Sequence, residues 1–237
     1  IPLMLGNICQ QLYTMVDTMV VGQVAGVEAL AALGAVDFLM WVVTGISTGL
    51  TQGFSIQLSQ YYGAKDFENL RKSLAHSYRL TAFIAAGVLI LSQSFASLVL
   101  TGLHTPSNII GMSLLYLRII FCGIPATAAY NMFASALRAM GNSKTPLTAM
   151  IIASVLNVSL DILFVAGFGW GVAGAAIATV IAQSFSAVYC FLILRRIDIV
   201  HLTKTDFMPA SGMNARLMKL GIPVVFQNII IGVGGLV

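Results

Sequence analysis

Six runs of about twenty or more mostly apolar residues follow one another along this 237-residue chain, and a seventh is still running at Val237. A helix needs about 20 such residues to cross the hydrocarbon core of a bilayer. The runs cover residues 1–21, 28–60, 74–100, 109–137, 146–166 and 172–194, with the seventh opening near Leu217. They are too long and too continuously apolar for the alternating strands of a barrel. The predicted fold is therefore an all-α membrane protein: a lobe of six transmembrane helices plus the start of a seventh helix. Charged residues make up only 8% of the chain, against about 25% in a soluble domain. That scarcity excludes a soluble enzyme, a disordered chain and a nucleic-acid binder. Cys9, Cys122 and Cys190 are far apart in apolar stretches, which is neither a disulfide framework nor a zinc spacing. No signal-peptide pattern opens the chain. Ile1 already lies inside an apolar run, so the chain is expected to be cut at its start and, by the unfinished seventh run, at its end.

The basic residues give the expected topology. Connections 22–27, 101–108 and 167–171 carry no Lys or Arg. Connection 61–79 carries Lys65, Arg71, Lys72 and Arg79; connection 138–145 carries Arg138 and Lys144; connection 195–219 carries Arg195, Arg196, Lys204, Arg216 and Lys219. Eleven of the 12 basic residues thus sit in alternate connections. The positive-inside rule puts these in the cytoplasm, together with the N-terminus. Arg118 is left inside span four, where it either pairs with an acid or snorkels outward.

Gly45, Gly49 and Gly53 recur every fourth residue on one face of span two, a spacing that permits close helix approach. Gly171 and Gly174 are expected to act similarly at the start of span six. Ile1-Pro2 with Asn7-Ile8 can be laid over Ile222-Pro223 with Asn228-Ile229. Six spans separate the copies, so both start from the same side, as in a parallel repeat of six-helix halves. The expected organisation is a six-helix lobe over 1–194, a cytoplasmic inter-lobe linker over 195–216, and the start of helix seven of a second lobe over 217–237.

Ionisable residues inside spans are costly and mark function. Gln10, Tyr13 and Asp17 share one face of span one, and a polar stripe on an apolar helix should face protein or water. Asn157 and Asp161 lie one turn apart in span five. Thr179 and Gln183 form a similar pair in span six, although a Thr hydroxyl can also bond back to its own helix. Counted from the short turn between spans five and six, Asp161 and Thr179 lie at similar depth, roughly 8–12 Å below the outer boundary, and Asp17 is similarly shallow. Asp37, in the outer half of span two, either widens this acidic patch or sits at a wet interface. Asn131 in span four either lines a lumen or bonds one helix to another.

Two carboxylates close together in a low dielectric cannot both ionise cheaply, and they titrate as a unit. Oxygens from Asp, Asn and Thr also suit a small hard cation. Such a site can hold H⁺ or Na⁺, and loading it changes the local charge by one unit. If that charge favours one helix arrangement, binding biases a conformational equilibrium. Met15, Met19, Met40, Met132 and Met150 add adaptable apolar lining suited to bulky, often cationic, amphipathic molecules.

Four stretches carry a family resemblance: QQLYTMVDTMVVGQVAGVEALAALG, QYYGAKDFENLRKS, ALRAMGNSKTP and LNVSLDILFVAGFGWGVAGAAIATVIAQ. They resemble the first-helix signature, the loop after helix two, the loop after helix four, and helices five and six of the multidrug and toxic compound extrusion (MATE) transporters of bacterial type. The resemblance implies a twelve-helix, two-lobed transporter of which this chain is one half, working as a cation-coupled antiporter by alternating access. It implies a coupling site of Asp17, Asn157, Asp161 and Thr179, with Gln10, Tyr13 and Asn131 nearby. Gln183 and Asp37 complete the expected lining, though Asp37 is not part of the family pattern. The expected partners are amphipathic or cationic drugs and toxic metabolites, the bilayer, and a second lobe of the same polypeptide. No cofactor beyond the coupling ion and no enzymatic activity are expected, and the expected location is a bacterial cell membrane.

The alternative is a related lipid-linked precursor flippase, which would show more basic residues in its central spans than Arg118 alone. An intramembrane aspartyl protease wants Gly-x-Gly-Asp, whereas Asp161 follows Val158-Ser159-Leu160. A non-transporting half-lobe is the remaining reading.

Overall fold

The computed structural model describes the backbone of residues 2–208 and 212–234; among these, the side chains of residues 2–10, 12, 13, 38, 204 and 232–234 lie outside the description. Among the described residues the chain is helical, without strands: α1 (Pro2–Val24), α2 (Val27–Gly63), α3 (Phe67–Gly102), α4 (Ile110–Cys122), α5 (Ile124–Ala139), α6 (Lys144–Asp161), α7 (Gly171–Arg195) and α8 (Met213–Gly234). A π-helical turn, Ile162–Gly167, extends α6, and two 3₁₀ turns, Asp198–Val200 and Lys204–Phe207, lie between α7 and α8.

The apolar runs of the sequence map onto these elements, with differences in geometry. Run four is broken into α4 and α5, which meet at 45°. Pro125 follows the break and cannot donate a backbone hydrogen bond. Gly123 at the break lets the bend lie against α7, since a Cβ there would stand 2.6 Å from Val180 Cγ2. The last run starts earlier than its hydropathy suggests, at Met213, and carries Pro223 in its interior. By length and composition α3, α6 with its π turn, and α7 can each cross a membrane; counting the bent pairs Val27–Asp37 with Leu39–Gly63 and α4 with α5 gives five such spans among the described residues. Large apolar side chains such as Phe83 (74% exposed), Leu98 (67%) and Ile90 (65%) point outward, which suits lipid and not water.

Local chemistry sets the ends of the helices. Lys65 takes a left-handed φ of 57° in the α2–α3 turn. Asp66 then caps α3, accepting hydrogen bonds from the Asn69 amide at 3.2 Å and from Asn69 Nδ2 at 2.7 Å. These bonds hold the Asp66 carboxyl below the usual carboxylate range. Asp66→Ala should therefore raise hydrogen exchange at the Asn69 amide several-fold, whereas Asp66→Asn, which keeps an acceptor, should change it little. The segment before α8 is fastened to the same end of the bundle. His76 is 2% exposed, with ring nitrogens 2.7 Å from Asn214 Oδ1 and 3.1 Å from the Met208 carbonyl. Burial opposes ionisation of Asp206, but hydrogen bonds from the Thr203 amide and hydroxyl, and the charges of Arg71 and Lys72, hold it below its usual range.

Two apolar cores stack along the bundle. One, at the end with the neutral connections, gathers Val21, Leu33, Leu117, Phe121, Val165 and Val172. The other, at the end with the basic connections, gathers Phe54, Leu58, Leu74, Leu137, Leu194 and Leu217. In sequence, Asn157, Asp161, Thr179 and Gln183 fall between the two sets on α6 and α7, and Asp17 lies one turn before Val21 of the first set on α1. The glycines of α2 meet α8: a Cβ on Gly49 would stand 2.7 Å from Val225 Cα, and one on Gly53 would overlap the backbone of Gly221. Nothing lies within 4 Å of a Cβ placed on Gly45.

Candidate functional site

Helix α1 lies against α6, and α6 against α7, so the three carriers of the polar residues are direct neighbours. Asp161 is the last α-helical residue of α6; the backbone then widens into the π turn, with the Phe168 amide bonding to the Leu163 carbonyl at 2.9 Å. Such π segments concentrate at functional positions because they re-aim neighbouring side chains. Gly169 and Gly171 take positive φ (70° and 53°) to turn the chain into α7, and Gly174 packs on Phe164, where a Cβ would find the side chain at 3.0 Å. Thus Gly171 serves the turn and Gly174 the close approach.

Burial at this site is nearly complete. Asp161 is 0% exposed, Asn157 2% and Asp17 7%. Asn157 Nδ2 donates to Thr179 Oγ1 at 3.4 Å, so the Thr179 hydroxyl faces α6 across the interface. Both carboxylate oxygens of Asp161, one of Asp17 and the amide oxygen of Asn157 have no hydrogen-bond donor among the described residues. All four are acceptors. A buried acceptor without a donor is costly, so this set calls for a proton or a small cation rather than an anion. Asp161 lies within electrostatic range of Asp17, and Asp17 within range of Asp37. Asp37 is exposed on α2.

A cavity of ≈30 Å³ begins at Asn157 and Thr179 and runs toward the basic end of the bundle. Its polar lining adds Ser154, Gln183, Ser186 and Tyr130, and its apolar lining includes Met150. That volume admits one or two waters. The buried Oε1 of Gln183 is without a donor here. Ser154, Ser186 and Tyr130 were not singled out by sequence reasoning. Ser154 and Ser186 lie three residues from Asn157 and Gln183, one helical step on the same face, and that spacing was the available signal. Asn131 lies elsewhere: its Nδ2 donates to Thr48 Oγ1 at 3.2 Å and ties α5 to α2. The side chains of Gln10 and Tyr13 lie outside the described residues.

A polar, acceptor-rich pocket buried in a bundle of apolar helices is the mark of a multi-pass membrane protein with a polar layer inside it. The family model described as MatE matches residues 2–163, and the chain belongs to this family. It is 31% identical over 230 residues to the probable multidrug resistance protein YpnP of Bacillus subtilis, an alignment covering 97% of this chain and 52% of that protein. It is 23% identical to the multidrug export protein MepA of Staphylococcus saprophyticus, covering 100% of this chain and 53% of the relative. A crystal structure of a MATE protein in the bent conformation superposes with a TM-score of 0.90 at 26% identity, covering 97% of this chain and 51% of the other. A MOP-superfamily transporter from Pyrococcus furiosus, for which a reversed polarity of the binding pocket is described, gives 0.90 at 25% identity over 96% and 51% of the two chains. The chain spans about half the length of the curated relatives it matches.

Proposed function

We propose that the protein is a transporter and not an enzyme. It couples movement of H⁺ or Na⁺ down its gradient to export of amphipathic, often cationic small molecules. Residues 1–194 form the first lobe, 195–216 the linker and 217–237 the start of the second. The basic connections and the N-terminus face the cytoplasm, across the cell membrane. The observation that carries this reading is the set of four donorless oxygens on Asp17, Asn157 and Asp161, buried in a layer between two apolar cores. Asp17 and Asp161 take up the ion, Asn157 offers its amide oxygen, and Thr179 orients Asn157. Asp37 and Gln183 line the way to this layer, and Asn131 holds α5 against α2 away from it; the expected lining by Gln10 and Tyr13 falls on side chains outside the described residues. Filling the layer removes the penalty of unmatched acceptors and one unit of negative charge. It thereby favours the arrangement in which the helices close on the site. An ion that binds one arrangement better than the other shifts the equilibrium by that difference alone.

Two observations favour this over the flippase. Among the described residues no basic side chain lines the cavity and the buried charges near it are carboxylates, which suit a cationic cargo and not a pyrophosphate. The test is transport of an ethidium-like cation by the full-length protein in proteoliposomes, under a pH jump and, separately, a Na⁺ jump. One gradient should drive uptake or release of the dye and the other should not. No movement under either gradient overturns the reading.

A further inference from the structure

We infer that the face of α3 and α4 carrying Gln93 and Arg118 binds the phosphate of an anionic phospholipid, in the leaflet opposite the basic connections. Arg118 is the one basic residue of the 12 outside those connections. It lies eight residues after the start of α4, and Gln93 nine residues before the end of α3. At 1.5 Å per residue both stand about 12–14 Å in from the neutral end of the bundle.

Gly111, Leu115, Arg118 and Cys122 recur at steps of four, three and four residues on one exposed stripe of α4. Around the bundle, α4 packs against α7, α3 and α2, whereas α1 lies mainly against α6, and α8 mainly against α2 with a smaller contact on α3 near His76 and Asn214. The exposed Arg118 stripe therefore points away from α7 and α2, and so away from the carboxylates of α1 and α6 behind them. It faces lipid, beside Leu115 (49% exposed) and Ile90 (65%). Arg118 forms no ion pair among the described residues.

Gln93 Nε2 donates to the Arg118 carbonyl at 2.8 Å and to Cys122 Sγ at 3.3 Å. This bond fixes α3 and α4 at the level of the guanidinium without supplying it an acceptor. A guanidinium carries five donors, no acceptor, and a charge at every accessible pH. On a lipid-facing wall the stem snorkels toward the neutral end, and the acceptor that meets it is a headgroup phosphate drawn inward by local thinning of the bilayer. The occupant is thus a phospholipid with net negative charge, of the phosphatidylglycerol type.

The test is native mass spectrometry of the full-length protein released from nanodiscs holding phosphatidylglycerol and phosphatidylcholine. The parent should retain phosphatidylglycerol selectively. Arg118→Gln should lose about fivefold of that retention. Arg118→Lys, which keeps the charge and loses the fork, should fall between the two and serves if the Gln variant folds poorly. Arg196→Gln, at the basic end, is the control for lipid attracted by charge in general. Equal retention in parent and Arg118→Gln overturns the proposal. So does displacement of the bound lipid by inorganic phosphate, or an oligomer that dissociates in the Gln variant with lipid retention unchanged.

Discussion

Asp161→Asn is expected to abolish gradient-driven export while the protein inserts and folds as before. The substitution is isosteric at a position that is 0% exposed, so packing is unchanged. It removes the ionisable group whose two oxygens have no donor. It also brings an amide NH₂ into a site where Asp17 and Asn157 present unmatched acceptors, which should leave thermal stability equal or higher. Dye export by Asp161→Asn proteoliposomes should fall to the level of protein-free vesicles, with the melting temperature of the purified protein unchanged or raised. Export at the parent rate would remove Asp161 from the coupling site. A fall in melting temperature together with lost export would reduce the residue to a structural role.

The second large effect concerns the contact of α2 with α8. A methyl group on Gly53 would land on the backbone of Gly221 and stand 2.7 Å from the Leu220 carbonyl, where no side chain can rotate away. Gly53→Ala must therefore force the helices apart, at a cost of about 1–3 kcal/mol typical of overpacking. Gly45→Ala meets nothing within 4 Å and trades a flexible residue for a better helix former. Melting temperatures of the full-length protein should drop for Gly53→Ala and hold or rise for Gly45→Ala. Equal behaviour of the two would mean that α8 does not pack on α2 through Gly53.

These two sites show what could be read along the chain. The period-four glycines of α2 announce a close contact, because a helix repeats its face every three to four residues whatever it packs against. That the contact uses Gly49 and Gly53 but not Gly45, and that α8 supplies Gly221 and Val225, depends on where a distant helix crosses. Spacing within α2 holds no information about that. The acidic site divides in the same way. Asp17 and the Asn157–Asp161 pair stand out because charge inside an apolar span is rare and costly. The hydroxyl of Thr179, which taken alone is expected to bond back to its own helix, accepts from Asn157 of α6 instead. Asn131 is half-buried against Thr48, a pairing between residues far apart in sequence. The π turn after Asp161 has no composition signal in Ile162–Gly167, which reads as ordinary apolar helix.

Hydropathy by itself settled that the chain is a helical membrane bundle, and roughly where its helices run. The bilayer imposes those constraints one helix at a time, and each is satisfied or violated within some twenty consecutive residues. Which polar side chains go without donors, which way Arg118 faces, and where α2 and α8 touch were decided only by the packing of helices against one another. Those properties belong to pairs and triples of helices, brought within a few ångströms by chain that carries no record of the distance.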